Sequence, residues 1–497
     1  MSKICLCLCE KTLEENLRVL EQHRAYIDLV ELRVDKLLPN ERFLIRRFPA
    51  LAGMPVVLTI RRQSDGGSYN GTESGRLTLI GNALAYAEAD RRMNFAYFDI
   101  EEDVDVPSLE EAARAFGTRV IRSLHLSSPP ESAAAITARV KALVHFGDEI
   151  VKYAAPVNTL DDVIMIYAAA RELNGLDKIL IAMGSAGVST RILTSKIGSM
   201  WTYAYAPETG AGIPPAPGQL DPRTLCDTYR FRKIKPDSAV YGILGYPLKV
   251  TASPLLFNTV FTREKMNAIY VPFPSESDES FIRLAQMLDV RGASVTVPHK
   301  QNILKYLTSQ SADVQNLGAC NTIVRTEEGW AGYNTDTLGF SGSLLNFIGK
   351  KSFRGMKITI IGAGGAARAA LYQIWRLGGK AFIINRSRGR AEELADKYGF
   401  AAGSLNEIPL NKIRNYSDII INTTSVGMGA GCKDDPLPAY KFRGTEIVMD
   451  LVYVPTQSAF LARAAAAGCP TLNGYDMLLR QAKLQYNLFF NSDYPEI

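Results

Sequence analysis

Through the first half of the chain, short apolar runs alternate with longer stretches whose apolar residues recur at helical spacing. The runs fall at residues 4–9, 29–34, 56–60, 95–100, 119–124, 150–154, 179–183 and 200–205. Helical periods cover residues 13–24, 110–116, 133–144 and 160–173 between them. Strands that alternate with helices build a parallel sheet, buried on both faces. Eight such units predict a closed (β/α)8 barrel of the TIM type over residues 1–230. A Gly- and Pro-rich stretch at 210–222 reads as a loop or lid, and the polar segment 231–238 as a linker. The pattern restarts at Ala239 with a strand that ends in Gly245. A β/α region runs from 239 to 349. Residues 357–361 form a strand, 369–377 a helix and 381–384 a second strand, which is a βαβ unit. That unit opens a Rossmann-type domain over 350–473, and a helix at 477–490 lies in a closing segment, 474–497, that returns to the 239–349 domain. The fold class is therefore α/β throughout.

Composition narrows this little. Among 497 residues, 47% are apolar and 22% charged, as in ordinary globular proteins, and the net charge is only +5. No dense Lys/Arg stripe points to nucleic acid. The seven cysteines show no CxxC or Cys/His spacing, so they read as free thiols in a reducing compartment rather than as a disulfide or metal framework. Cys5, Cys7 and Cys9 alternate with Ile4, Leu6 and Leu8 as in a buried strand. Glu10 and Lys11 interrupt that first run early, which argues against a secretory signal. No apolar run approaches the roughly 18–20 residues that cross a bilayer. The expectation is a cytoplasmic protein with no cysteine-based metal site.

Charged residues at strand ends carry the chemistry. Barrel enzymes place their catalytic groups at the C-terminal ends of the strands. In this chain Glu31 and Arg33, Arg61, Glu101, His125 and Lys152 interrupt or close the apolar runs. Ionisable groups are seldom buried without partners, so this many at corresponding positions predict one polar pocket. Lys152 stands in the otherwise apolar Ile150-Val151-Lys152-Tyr153-Ala154. A desolvated lysine can attack a carbonyl as a neutral amine, and a histidine beside it can move protons near neutral pH. Taken singly, Lys152 is equally well read as a snorkelling lysine and His125 as a core histidine.

The ordered set resembles the type I 3-dehydroquinate dehydratases. It comprises Asp28-Leu29-Val30-Glu31-Leu32-Arg33-Val34-Asp35, Thr59-Ile60-Arg61 with Asp65-Gly66-Gly67, Ser123-Leu124-His125, the Lys152 strand, Arg191 after Gly184-Ser185-Ala186-Gly187, and Ala216-Pro217-Gly218-Gln219. The resemblance implies a Schiff base between Lys152 and the substrate ketone, with His125 as proton shuttle. It implies that Glu31 holds His125 or a substrate hydroxyl. Arg191 and Gln219 would bind the substrate carboxylate, and Arg33 and Arg61 would shape the polar floor. Three positions depart from the family: Asp65 replaces a usual Glu, Leu126 an acidic residue and Pro215 a lid serine.

In the second half, Gly362-Ala363-Gly364-Gly365-Ala366-Ala367 has the form G-x-G-x-x-A between a strand and a helix, the setting of a dinucleotide site. NAD sites place an acidic residue at the end of the next strand. This chain has Asn385-Arg386-Ser387-Arg388-Gly389-Arg390, so Arg386 and Arg390 favour the 2′-phosphate of NADP. Upstream, Lys300 and Asp336 suit a proton relay at an alcohol carbon.

These motifs resemble the shikimate dehydrogenase family over residues 239–490. Thr251-Ala252-Ser253-Pro254 is similar to its Ser-x-Ser-Pro substrate loop, with Thr251 in place of serine. The resemblance implies catalysis by Lys300 and Asp336, carboxylate binding by Thr251 and Ser253, and ring-hydroxyl binding by Thr296, Asn321, Asp336 and Gln481. Tyr453 completes the substrate set. Gly362, Ala363, Gly364, Gly365, Ala366, Asn385, Arg386, Ser387, Arg390, Thr423 and Gly474 would hold NADP. The two resemblances imply consecutive steps, from 3-dehydroquinate through 3-dehydroshikimate to shikimate, and together the halves resemble the plant-type bifunctional fusion. Partners are then small molecules, not nucleic acid or membrane, and the assembly is a monomer or homodimer. Two alternatives stay open here: an NAD-dependent quinate/shikimate catabolic enzyme and a non-catalytic sensor built on the same domains.

Overall fold

The computed structural model describes residues 2–85, 90–209, 214–248, 251–407 and 410–495. It forms two compact units, each taken by itself below. The first spans residues up to Leu248 together with Ala252–Val290; the second comprises Thr251 and the residues from Arg291 onward.

The first unit is built on eight parallel strands: β1 (Lys3–Leu8), β2 (Leu29–Arg33), β3 (Val56–Thr59), β4 (Tyr97–Glu101), β5 (Arg119–His125), β6 (Ile150–Pro156), β7 (Lys178–Met183) and β8 (Trp201–Ala204). Their order is β7-β6-β5-β4-β3-β2-β1-β8. A parallel bridge between Lys178 and Ser199, with Met200 N–H donating to Lys178 O at 2.9 Å, brings the last strands together and all but closes the barrel. All eight expected strands are present, shifted by no more than two residues at either end. The helix Glu73–Leu84 was not expected. Its Gly75 and Gly81 dilute the apolar period on which a sequence reading depends.

Local chemistry sets the helix ends. Thr12 and Glu15 form a reciprocal capping box before Leu13–His23, and Thr159 and Asp162 do the same before Leu160–Glu172. Alternate residues on each strand face the lumen. Cys5, Leu29, Val57, Ile121, Ile150, Ile179 and Trp201 meet there in an apolar cluster with almost no solvent exposure. Burying a Leu or Ile side chain contributes about 1.5–3 kcal/mol, so this plug fixes the barrel's diameter from within.

The same unit carries β9 (Ala239–Gly245) and β10 (Ala268–Pro274), a parallel pair joined by the helix Ser253–Arg263. The next helix, Asp278–Met287, lies against the barrel helix Leu160–Glu172. Ser280 Oγ and Arg283 donate to the two Asp161 oxygens at 2.9 and 2.7 Å, and Arg171 donates to Met287 O at 2.7 Å.

The second unit contains β11 (Val290–Val295), β12 (Ser309–Gln310), β13 (Thr322–Thr326) and β14 (Gly329–Tyr333). β13 pairs antiparallel with β11 and β14, and β12 is parallel to β14. A separate parallel sheet follows: β15 (Lys357–Ile361), β16 (Lys380–Asn385), β17 (Ala401–Ser404), β18 (Ile419–Asn422), β19 (Ile447–Asp450) and β20 (Thr471–Leu472). Its order, β17-β16-β15-β18-β19-β20, is that of a doubly wound Rossmann sheet. The expected helix at 369–377 begins four residues earlier, at Gly365. Glycine at the first turn hid the start, yet the chain turns helical directly from the glycine loop. The closing helix is Tyr475–Phe490. Among the described residues, no helix is long and apolar enough to cross a membrane.

Candidate functional sites

A cavity of about 350 Å³ opens at the C-terminal ends of the barrel strands, within the range of small-ligand pockets. Lys152 projects into it from β6 and is only 4% exposed. Its Nζ donates to Asp99 Oδ2 at 2.9 Å, lies 3.7 Å from Glu31 Oε1 and sits over the Tyr203 ring. Asp99 is the hub. Its Oδ1 accepts from Arg61 at 2.7 Å and from Ser123 Oγ at 2.6 Å. Arg61 also donates to Glu101 at 2.8 Å, and Arg76 donates to the other Glu101 oxygen at 2.7 Å. Burial alone would raise the Asp99 carboxyl. The Arg61 guanidinium and the Lys152 ammonium outweigh it and hold Asp99 well below the usual carboxylate range.

Asp99 was missed in the sequence. Glu101 was noticed at the end of its run, but Asp99 stands two residues earlier, on the same face of the strand. Stepping back by two from each strand-end charge finds Asp99 from Glu101, Ser123 from His125 and Thr59 from Arg61. The same alternation carries Cys7 into the cavity, where its thiol donates to Glu31 at 3.3 Å. Burial, then Glu31, push that thiol well above its usual value, so it stays a neutral donor.

His125 ends β5 and lines the cavity, and its Nδ1 has no hydrogen-bond partner among the described residues. Burial, then the positive charges of Arg61 and Lys152, depress it well below the normal imidazole range, so it is neutral at physiological pH. Of the two roles expected of Glu31, holding His125 or a substrate hydroxyl, the first has no hydrogen bond among the described residues. Glu31 instead accepts from Thr59 at 3.0 Å and from Cys7, and faces Lys152, because β2 brings it to the lysine's side of the lumen. Arg61 and Arg33 both line the cavity; Arg33 is held there by Asp35 in a two-bond pair at 2.9 Å. Asp65 reaches neither histidine nor lysine; it accepts from Arg62 at 2.8 Å and from Ser64 at 2.7 Å, although it lines the cavity.

Arg191 and Gln219 converge on the same space. Arg191 donates to Pro217 O at 2.9 Å, and its Nε has no partner. Burial lowers it to about 10, and it remains charged at neutral pH. Gln219 Oε1 is likewise unpartnered. Buried donors and acceptors left open in an otherwise bonded pocket are what a bound carboxylate and hydroxyl would satisfy. Leu126, Pro215, Ala216 and Pro217 line the rim, while residues 210–213 of the expected lid lie outside the described residues.

In the second unit Lys300 and Asp336 meet at 2.5 Å. Asp336 opens the helix Asp336–Phe347, whose N-terminus favours its negative charge. Asn321 Nδ2 donates to the second Asp336 oxygen at 2.9 Å and lies 3.5 Å from Gln481 Oε1. Thr296 is partly exposed four residues before Lys300, and Thr251 and Tyr453 are half-buried. Ser253, which opens its helix, is buried in the first unit.

The glycine loop leads from β15 into the helix Gly365–Arg376. Gly362 has φ +111°, and a Cβ there would meet Thr423 Oγ1 at 2.7 Å. β15 and β18 are neighbours in the sheet, and the chain turns in opposite directions from them, so the crevice between their ends is the dinucleotide position of such folds. A Cβ on Gly365 would meet Lys300 Cδ at 3.1 Å, so the relay lysine lies against the glycine loop. Arg386 and Arg390 are exposed and make no ion pair among the described residues, whereas Arg388 is tied to Glu392 at 2.8 Å. A bare loop, a helix N-terminus and two free guanidinium groups fit a dinucleotide with an added phosphate. Ala363, Gly364 and Ala366 complete the loop, Asn385 and Ser387 end β16 and begin the turn, and Gly474 precedes the closing helix.

A buried-lysine barrel and a dinucleotide-binding domain with a Lys–Asp relay define a lyase joined to a dehydrogenase. The type I 3-dehydroquinase family profile matches residues 4–236. The profile of the shikimate dehydrogenase substrate binding domain matches 243–323, and that of shikimate/quinate 5-dehydrogenase matches 346–428. The chain is 30% identical over 494 residues to the chloroplastic bifunctional 3-dehydroquinate dehydratase/shikimate dehydrogenase of Arabidopsis thaliana, covering 95% of this chain and 79% of that protein. The NADP(+) shikimate dehydrogenase of Pyrococcus furiosus is 35% identical over 257 residues, 52% of this chain and 92% of its own length. That of Moorella thermoacetica is 35% identical over 277 residues, 53% of this chain and 92% of its own. This chain belongs to the bifunctional 3-dehydroquinate dehydratase/shikimate dehydrogenase family.

Replacing Asp99 by Asn removes the counter-charge of Lys152 and of Arg61 together. Breaking one side of a buried ion pair costs about 3–5 kcal/mol, so the barrel transition in urea should shift by that order. A loss below about 1 kcal/mol would contradict the hub role, since surface pairs contribute that little.

Proposed function

We propose that the chain dehydrates 3-dehydroquinate in the barrel and reduces the product, 3-dehydroshikimate, to shikimate with NADPH in the second half. The observation that carries the reading is the position of Lys152. Its amine is desolvated, flanked by carboxylates, and opens on a cavity shared with a neutral histidine and an unpaired arginine.

In the barrel, Arg191 and Gln219 bind the substrate carboxylate and present the C3 ketone to Lys152. The ammonium donates to Asp99, so a proton must leave before the nitrogen attacks, and neutral His125 can take it. Attack gives a carbinolamine; His125 returns its proton to that hydroxyl, which leaves as water, so that an iminium and a neutral His125 remain, and the iminium draws electrons from the neighbouring carbon. His125 then removes the C2 proton and returns it to the departing hydroxyl, which leaves as water. Hydrolysis of the iminium releases the product and restores Lys152. Asp99, Arg61 and Glu31 fix the field around the nitrogen throughout, so little reorganisation accompanies the charge changes.

In the second unit, Thr251, Thr296, Asn321, Tyr453 and Gln481 hold the substrate, with Asp336 beside Lys300. NADPH, when bound, supplies hydride to the ketone carbon. Gly362 to Ala366 receive its pyrophosphate, Asn385, Ser387, Thr423 and Gly474 border it, and Arg386 and Arg390 take the 2′-phosphate. Lys300, held by its hydrogen bond to Asp336, gives its proton to the developing alkoxide. Each reaction handles a small molecule, and the chain acts as a monomer or homodimer. Its free thiols suit the reducing cytoplasm.

A coupled assay tests the whole reading. Purified chain given 3-dehydroquinate and NADPH should consume the cofactor and form shikimate. Lys152→Ala should abolish this yet still reduce added 3-dehydroshikimate, and borohydride should trap substrate mass on the wild type alone. Trapping on Lys152→Ala would remove the Schiff-base role. Because His125 titrates well below 6.5, kcat/KM for dehydration should stay level as pH falls from 7 to 6 and decline only below that. An acid limb centred at 6.5 or higher would contradict a desolvated histidine base. Arg386→Ala should raise KM for NADPH at least tenfold, the effect of losing about 1.4 kcal/mol, while leaving KM for NADH nearly unchanged. Equal losses for both cofactors would refute the phosphate contact.

A further inference from the structure

A second cavity, of about 370 Å³, lies in the first unit, away from the barrel mouth. One wall is the segment that leaves the barrel, with Tyr229, Arg230, Lys233 and Lys235; the other is the C-terminal end of the helix Ser253–Arg263 and the turn into β10, with Phe261 and Lys265. Neither reaction uses any of these residues.

Four cations line this space and no carboxylate does. The side chains of Arg230, Lys233, Lys235 and Lys265 make no hydrogen bond or ion pair among the described residues, and Arg230 Nε is shielded from solvent without a partner. The nearby acids are engaged elsewhere: Glu264 accepts from Arg263 at 3.0 Å and Asp237 accepts from Asn267 at 3.2 Å. A concave surface of one charge sign concentrates counter-ions within it. Arg230 and Lys265 also hold left-handed backbones, at φ 51° and 54°. Such a conformation is uncommon for a residue other than glycine and gathers at ligand sites. Tyr229 and Phe261, both buried, give the cavity an apolar wall beside its cations.

We propose that this cavity binds a small organic anion with at least two negative charges, phosphoryl or paired carboxylates, on an apolar ring. The cations converge on the charged end while Tyr229 and Phe261 cover the body. An occupant bridges the segment leaving the barrel and the helix that begins at Ser253, so its binding is felt at both.

Calorimetric titration of the full chain with phenyl phosphate and with isophthalate tests this. At least one should bind saturably at one site per chain. Lys233→Glu combined with Lys265→Glu, both exposed positions, should weaken that binding at least tenfold while dehydration and reduction rates stay unchanged. Tighter binding of phenyl phosphate would assign a phosphoryl group, and tighter binding of isophthalate a pair of carboxylates. Failure of both probes to bind saturably would overturn the proposal. Binding that survives the double substitution but is displaced by NADP+ or shikimate would do the same, because it would belong to the sites already described.

Discussion

The barrel's chemistry depends on one buried carboxylate. Asp99 receives hydrogen bonds from Lys152 on β6, Ser123 on β5 and Arg61 in the segment after β3. Charge buried this deeply is tolerable only when it is paired and fully bonded. The network therefore imposes a geometry on the strands around it: β4, β5 and β6, with Arg61 just past β3, must hold their register for the bonds to close. It also holds the Lys152 nitrogen in the lumen, between Asp99 and Glu31. The apolar plug of Cys5, Leu29, Val57, Ile121, Ile150, Ile179 and Trp201 beneath it keeps water from relaxing the arrangement.

Groups that complete the structure and groups that await a ligand differ in their partners. Arg61 and Arg76 are buried and spend their donors on Glu101, Asp99 and Glu73. Arg191 is equally buried, yet it makes one bond to a backbone carbonyl and leaves Nε free. In the second unit Arg388 is paired with Glu392, while Arg386 and Arg390 in the same turn are not. The contrast matters because an arginine already bound to a carboxylate must break that bond to receive another anion. Unpaired guanidinium groups bind without that loss. The relay of the second unit follows the opposite rule: Lys300 is held by Asp336 before any substrate arrives, and its stem lies against Gly365. Lys300 and the glycine loop are thus set in one place by the lack of a side chain at that glycine.

The sequence by itself determined the class of fold and most of the residues that matter. Short, near-continuous apolar runs between helical periods dictate parallel strands whatever the loops do, because each strand must bury both faces. The glycine loop is equally local: Gly362, with a left-handed φ and Thr423 at its back, admits no other residue, so the motif is visible in the letters. Lys152, His125, Arg191, Lys300 and Asp336 could be found because each breaks an otherwise apolar pattern or sits in a recognisable motif. Only the tertiary structure decided who meets whom. Glu31 was expected to hold His125 or a substrate hydroxyl and its carboxylate lies 3.7 Å from Lys152, and Asp99 escaped notice although Lys152, Arg61 and Ser123 all bond to it. The reason is geometric. Strand order and register, separated by tens of residues of helix and loop, determine which lumen-facing side chains share a level, and a hydrogen bond tolerates errors of only a few tenths of an ångström.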